Sequence, residues 1–162
     1  MEERKRECYT LSNGVVIPCP GFGTWRMKEG PETAAAVKTA LDLGYRHIDT
    51  AAYYRNETSV GQGLRESGLA REEVFLTSKV WNTDRGYDTT LRAFDRTLAA
   101  LGTDYLDLYL IHWPAAANRF PDWQEINRQT WRALCKVYRE GRVRAIGVSN
   151  FLPHHLAPLL EE

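Results

Sequence analysis

The chain carries no net charge, because 21 Lys and Arg offset 21 Asp and Glu across 162 residues. That balance argues against a large nucleic-acid footprint and against a polybasic membrane surface. No run approaches the roughly 18 apolar residues of a membrane span, so no membrane partner is expected. The N-terminal MEERKRE is charged with no apolar segment behind it, and a signal peptide is not expected either. Cys8, Cys19 and Cys135 are odd in number and lack metal-ligand spacing. They read as reduced, incidental thiols of a cytoplasmic protein, and no metal site is expected. Linkers and low-complexity tracts are missing as well, which leaves a single domain over residues 1–162.

What remains is an ordinary globular composition, 43% apolar and 26% charged, in a chain long enough to bury a core. Residues 8–18 read as two short strands around Asn13-Gly14, a hairpin signal. A glycine-rich PGFGTWRM follows, then a helix from Pro31 with Val37, Ala40 and Leu41 at helical spacing and Gly44 as its stop. RHIDTA is a short strand, and Asn56 is placed to cap a helix carrying Val60 and Leu64. EVFLTSK, YLDLYLIHW and VRAIGVSNF are further strands. Leu91, Phe94, Leu98 and Leu101 form the stripe of one intervening helix. Trp131, Leu134, Cys135 and Tyr138 form that of the next, and a last helix starts near Pro153.

Strand and helix alternate without interruption, which predicts a parallel sheet covered by helices. The strand ends fall near Thr24, Asp49, Ser78, Ile111 and Val148. Five such units suit either an open doubly wound sheet or part of a closed eight-stranded barrel, and periodicity does not choose between them. Both architectures bind ligands beyond the carboxyl ends of their strands. Polar and aromatic residues gather there: Trp25, Asp49, Lys79 with Trp81, His112 with Trp113, and Ser149 with Asn150.

Each of these has a plainer reading alone. Asp49 suits a turn, Tyr54 packing, Lys79 a solvated face and His112 a satisfied core position. GFGT is too short for a phosphate-cradling loop. Together they suit carbonyl reduction, which needs a hydride and a proton for the developing alkoxide. An ammonium beside a tyrosine favours the phenolate and so makes the hydroxyl a better acid. Lys79 would do this for Tyr54, with Asp49 holding the lysine and His112 orienting the carbonyl. The tryptophans would wall the substrate. No side chain delivers hydride, so a nicotinamide cofactor is required.

The segments DTAAYYRNE at 49–57, TSKVW at 77–81, LIHWP at 110–114 and GVSNF at 147–151 resemble, in order, motifs of the aldo-keto reductase family. GFGTW at 21–25 and the Asn-Gly hairpin resemble most the prokaryotic branch that includes 2,5-diketogluconate reductases. The resemblance runs from about Tyr9 onward. It implies a (β/α)8 TIM-barrel fold whose N-terminal hairpin closes the barrel floor, and a catalytic tetrad of Asp49, Tyr54, Lys79 and His112. It further implies that Gly23, Thr24, Trp25 and Asp49 line the nicotinamide ribose and that Ser149 and Asn150 bind the carboxamide. Trp25, Trp81, His112 and Trp113 would meet a small carbonyl substrate. NADPH is the expected cofactor, with NADH possible.

The family barrel takes roughly 250 residues or more, so the resemblance implies a barrel truncated after about five βα units. Three strands are then absent, with a glutamine and a stacking tyrosine of the nicotinamide site and the segment that reads the 2′-phosphate. Such a sheet has two unpaired edges, and self-association through them is expected. An inactive or regulatory nucleotide-binding relative is one alternative. A flavodoxin-like five-stranded domain is another, although GFGTW followed by Arg26 makes a poor anion loop.

Overall fold

The computed structural model describes residues 7–161. Residues 1–6, where no signal peptide is expected, and Glu162 lie outside the described residues. The hairpin pairs β1 (Glu7–Thr10) with β2 (Val16–Cys19) antiparallel. Its loop is wider than a two-residue turn: Leu11 N–H donates to Val15 O, and Gly14 turns the chain at φ 83°. Asn13 accepts from the Val15 amide and donates to Arg144 O at 2.9 Å. The hairpin tip is thereby fastened to a strand far away in sequence.

Then come β3 (Phe22–Gly23), α1 (Pro31–Asp42), β4 (His47–Asp49), α2 (Glu57–Glu66) and β5 (Phe75–Val80). They are followed by α3 (Tyr87–Leu101), β6 (Leu106–Ile111), α4 (Trp123–Arg139), β7 (Val143–Val148) and α5 (Pro153–Leu160). All five later strands are parallel and lie in chain order, β3-β4-β5-β6-β7. A doubly wound sheet reverses its strand order at a switch point. Here there is no reversal, so the winding is that of a barrel, and the doubly wound and flavodoxin-like readings fall.

The register divides each strand between two faces. Ile48, Leu76, Val80, Tyr109 and Ile111 are fully buried and join Val37, Val60, Phe94, Leu98, Leu134 and Val137 of the helices in one core. Tyr109 meets the Phe94 ring edge-on at 5.0 Å between centroids. The alternate positions, Gly23, Asp49, Thr77, Leu108 and Ala145, follow one another across the paired strands on the concave face. Asp107 is buried near the start of β6, where it accepts from Arg71, from Arg144 and from the Leu76 amide, each at 2.8–2.9 Å. That satisfies a carboxylate which an apolar strand pattern gives no reason to expect.

Two helices depart from their sequence reading. On α2 the close contacts are made by glycine as well as by Val60. A methyl group at Gly61 would lie 2.3 Å from Leu101 O, and one at Gly63 2.5 Å from Ala34 O. Bare backbone lets α2 wedge between α1 and α3. On α4 the expected stripe is rotated. The buried face is Asn127, Thr130, Ala133, Leu134 and Val137, while Tyr138 is exposed and Cys135 half-buried. Small and polar residues pack there because Asn127 and Thr130 find partners, in both amide groups of Ala115 and in the Gly86 amide respectively. Among the described residues no helix is long and apolar enough to cross a membrane.

Candidate active site

Strand β5 runs to Val80, one residue past the expected segment EVFLTSK, and Lys79 sits within it. Its register partners are on β6, and its side chain points across the concave face to β4. There Nζ donates to Asp49 Oδ1 at 2.6 Å and to Thr50 O at 2.9 Å. The lysine side chain is only 8% exposed against 34% for the aspartate. The pair is therefore partly desolvated, and its geometry is fixed by two bonds instead of one.

After β4 the chain makes a single 3-10 turn, Ala52–Tyr54, which brings both tyrosines over the strand ends. The Lys79 ammonium lies 5.3 Å from the Tyr54 ring centroid, within cation–π range. Tyr54 meets the His112 ring edge-on at 5.7 Å. His112 follows β6 directly, and its amide extends the sheet ladder to Val80 O. The four residues expected to act together thus form one chain of contacts: Asp49, Lys79, Tyr54, His112.

His112 is the group with the largest perturbation here. Burial first, and the Lys79 ammonium second, push its pKa down to about 4, with Asp49 partly opposing them. The imidazole is therefore neutral around neutrality. Its Nδ1 is buried without a hydrogen-bond partner. Trp81 packs edge-on to the His112 ring at 5.2 Å and stacks on Tyr53 at 3.7 Å. Tyr53 so acquires a positioning contact that nothing in its spacing announces.

The support beneath the tetrad is a polar knot. Asn56 stands at the N-cap position of α2 but makes no side-chain cap bond. Its amide donates instead to Thr24 O and Met27 O and accepts from Thr50 at 3.1 Å, and Thr24 bonds Thr50 at 3.0 Å. All three side chains are fully buried. They fasten the loop after β3 to the loop after β4, pairing buried carbonyls of the β3 loop that would otherwise lack donors. The spacing of Asn56 ahead of an apolar helix pointed to a cap, and no local signal distinguishes a cap from such a cross-link.

The other expected residues arrive with less contact. Gly23 ends β3 opposite Asp49, and a methyl group there would meet nothing within 4 Å. Trp25 is 62% exposed with Arg26 over its ring at 4.5 Å, and Trp113 is 46% exposed. A cleft of about 360 Å³ opens between Trp25, Arg26, Tyr53, Tyr54 and Arg55. Ser149 extends the ladder from β7 to Ile111 O. Asn150 donates to His112 O at 2.9 Å and to Ser149 Oγ at 3.1 Å. Among the described residues, Arg26, Arg55 and Asn150 alone hold positive φ without being glycine, at 65°, 55° and 63°. All three follow strand ends at this rim, and such strain clusters where loops are held for function.

Fold and site together define a barrel-type α/β protein whose strand ends carry an acid, a lysine, a tyrosine and a neutral histidine in contact. The sequence model of the aldo/keto reductase family matches residues 21–162, and the chain belongs to that family. It is 56% identical over 154 residues to the 9,11-endoperoxide prostaglandin H2 reductase of Trypanosoma cruzi, covering 95% of this chain and 52% of that protein. To the glyoxal reductase of Bacillus subtilis it is 53% identical over 157 residues, covering 97% and 54%. The crystal structure of an aldo/keto reductase from Brucella melitensis superposes with a TM-score of 0.89 at 47% identity, covering 97% of this chain and 59% of that one. The Bombyx mori aldo-keto reductase, solved in complex with NADP, gives 0.84 at 37% identity, covering 99% and 55%. The chain spans about half the length of the relatives it matches.

Proposed function

We propose that this chain carries the proton-donating and carbonyl-orienting half of an NAD(P)H-dependent reductase of aldehydes and ketones. The observation that carries the reading is the Lys79 ammonium, held by Asp49 and Thr50 O and facing the Tyr54 ring. Tyr54 gives its hydroxyl proton to the carbonyl oxygen as that oxygen gains charge. The Lys79 ammonium stabilises the tyrosinate left behind, and Asp49 keeps the ammonium in place. His112 is neutral, so it orients the carbonyl by donating from Nε2 while the unpartnered Nδ1 stays a bare acceptor.

A reduced nicotinamide, NADPH in preference to NADH, supplies the hydride when bound. The open space beside Gly23 and Asp49 supports its fit on the concave face. Gly23, Trp25 and Asp49 would flank its ribose. Thr24 is fully buried and bonded to Thr50, so it contributes through the shape of the loop. Ser149 and Asn150 would hold the carboxamide, and Trp25, Trp81 and Trp113 would enclose the substrate. Strands β3 and β7 each pair on one side only among the described residues. Association of those edges with a second copy or with complementary strands belongs to this proposal. Cys8, Cys19 and Cys135 form no disulfide among the described residues, which suits a cytoplasmic setting.

The test is NADPH consumption by the purified chain with small aldehydes such as glyoxal, beside calorimetric titration with NADPH and NADH. Binding with turnover supports the reading. Binding without turnover would make the chain a nucleotide-binding relative, and no binding would remove the cofactor from the account.

A further inference from the structure

A larger cleft, about 810 Å³, opens on the far side of Trp81 between the loops that follow β5, β6 and β7. Its size is that of a small-molecule site. It adjoins the tetrad, because Trp81 lines it and also meets His112, and because Asn150 lines it while holding His112 O. Its walls are aromatic, with Trp113, Phe120 and Phe151, and it is lined by two arginines, Arg85 and Arg119, and by no carboxylate.

Arg85 is built into the wall. Its guanidinium donates to Trp113 O at 3.2 Å and Pro114 O at 2.6 Å and lies 5.6 Å from the Phe120 ring centroid. Arg119 lines the same cleft, and burial first, with that second cation after it, lowers the Arg85 pKa. Neither arginine forms an ion pair among the described residues, whereas Arg71, Arg96, Arg128, Arg132, Arg142 and Arg144 do.

Two neighbouring, unneutralised cations beside an apolar wall raise the energy of the empty cleft, and an anion entering it relieves the repulsion. We infer that this cleft receives the anionic end of the substrate, so that the preferred carbonyl compounds carry a carboxylate. The inference rests on the reductase reading for the reaction but not for the binding. Arg85 is the fixed element and Arg119, exposed on the loop before α4, the adjustable one.

The test pairs 4-carboxybenzaldehyde with its methyl ester as substrates, and titrates the product anion, 4-(hydroxymethyl)benzoate, by calorimetry in the absence of turnover. Wild type and Arg119→Glu are compared, the exposed position making loss of folding a minor concern. Charge reversal should weaken the anion's binding about fivefold or more and leave the ester's turnover unchanged. Equal binding of the anion by both proteins would overturn the inference, even if both reduce the ester. Weakened binding without turnover of either aldehyde would sustain it while sinking the reductase reading.

Discussion

His112 offers a test of the site's electrostatics that does not depend on turnover. Its pKa is about 4 in the folded chain against an ordinary 6.5, and the residue is 8% exposed, so solvent screens it little. A histidine with a depressed folded value is protonated more readily in the unfolded chain. Folding stability is therefore fully present above the ordinary value and is lost as pH falls toward the folded one. Between about pH 7 and pH 5 the loss comes to about 2 kcal/mol, and it levels off near 3 kcal/mol below pH 4. Replacing His112 by Gln removes this component and keeps a polar side chain. Urea denaturation of both proteins at the two pH values gives the difference of differences, in which every other titrating group cancels. Wild type should lose about 2 kcal/mol more than His112→Gln over that interval. Parallel losses would refute the depressed imidazole and with it the neutral donor.

Two further predictions concern the scaffold. Glu57 is buried between α2, β5 and α3, where Ser78 donates to it at 2.6 Å and Thr97 at 3.2 Å, and burial raises its pKa. The folded chain then holds that proton more tightly than the unfolded one, so stability is greatest at acid pH and falls as pH rises through the folded value. Glu57→Gln should thus gain up to about 1 kcal/mol near neutrality and nothing in acid; a loss near neutrality, read from denaturation midpoints, would contradict this. Gly61→Ala should cost about 2 kcal/mol or more, because its methyl group would meet the Leu101 carbonyl at 2.3 Å. An unchanged melting midpoint would show that α2 and α3 can separate freely.

Much of this architecture is legible in local pattern. The helix from Pro31, the stripe from Leu91 to Leu101 with Gly102 after it, and the apolar strands at 106–111 and 143–148 all form where spacing and glycine stops place them. What local pattern does not carry is anything set by contact at long range. Strand order, which separates barrel winding from a doubly wound sheet, depends on which strands meet. Gly61 and Gly63 look like weak points of α2 and are its packing face. The α4 stripe expected through Trp131, Leu134, Cys135 and Tyr138 keeps Leu134 in the core but gives the other buried places to Asn127, Thr130, Ala133 and Val137.

The candidate site shows the same division. Asp49, Lys79, Tyr54 and His112 each have a plainer reading alone, but as chemistry-bearing types gathered at strand ends they stand out as a set, and the fold brings them into contact. Their supports do not stand out. Asn56 reads as a helix cap, and nothing in local pattern assigns Thr50, Tyr53 or Arg85 a partner. Each takes a partner from another loop.

In the proposed reaction Tyr54 supplies the proton for carbonyl reduction. Tyr54→Phe removes one hydroxyl and leaves the ring against Lys79 and His112. Its rate of aldehyde-dependent NADPH oxidation, set beside its calorimetric affinity for NADPH, tests the claim most directly. Turnover reduced by about a hundredfold or more with nucleotide affinity unchanged is the result expected of a lost proton donor. Turnover equal to that of the wild type would contradict the account and move the proton to another group.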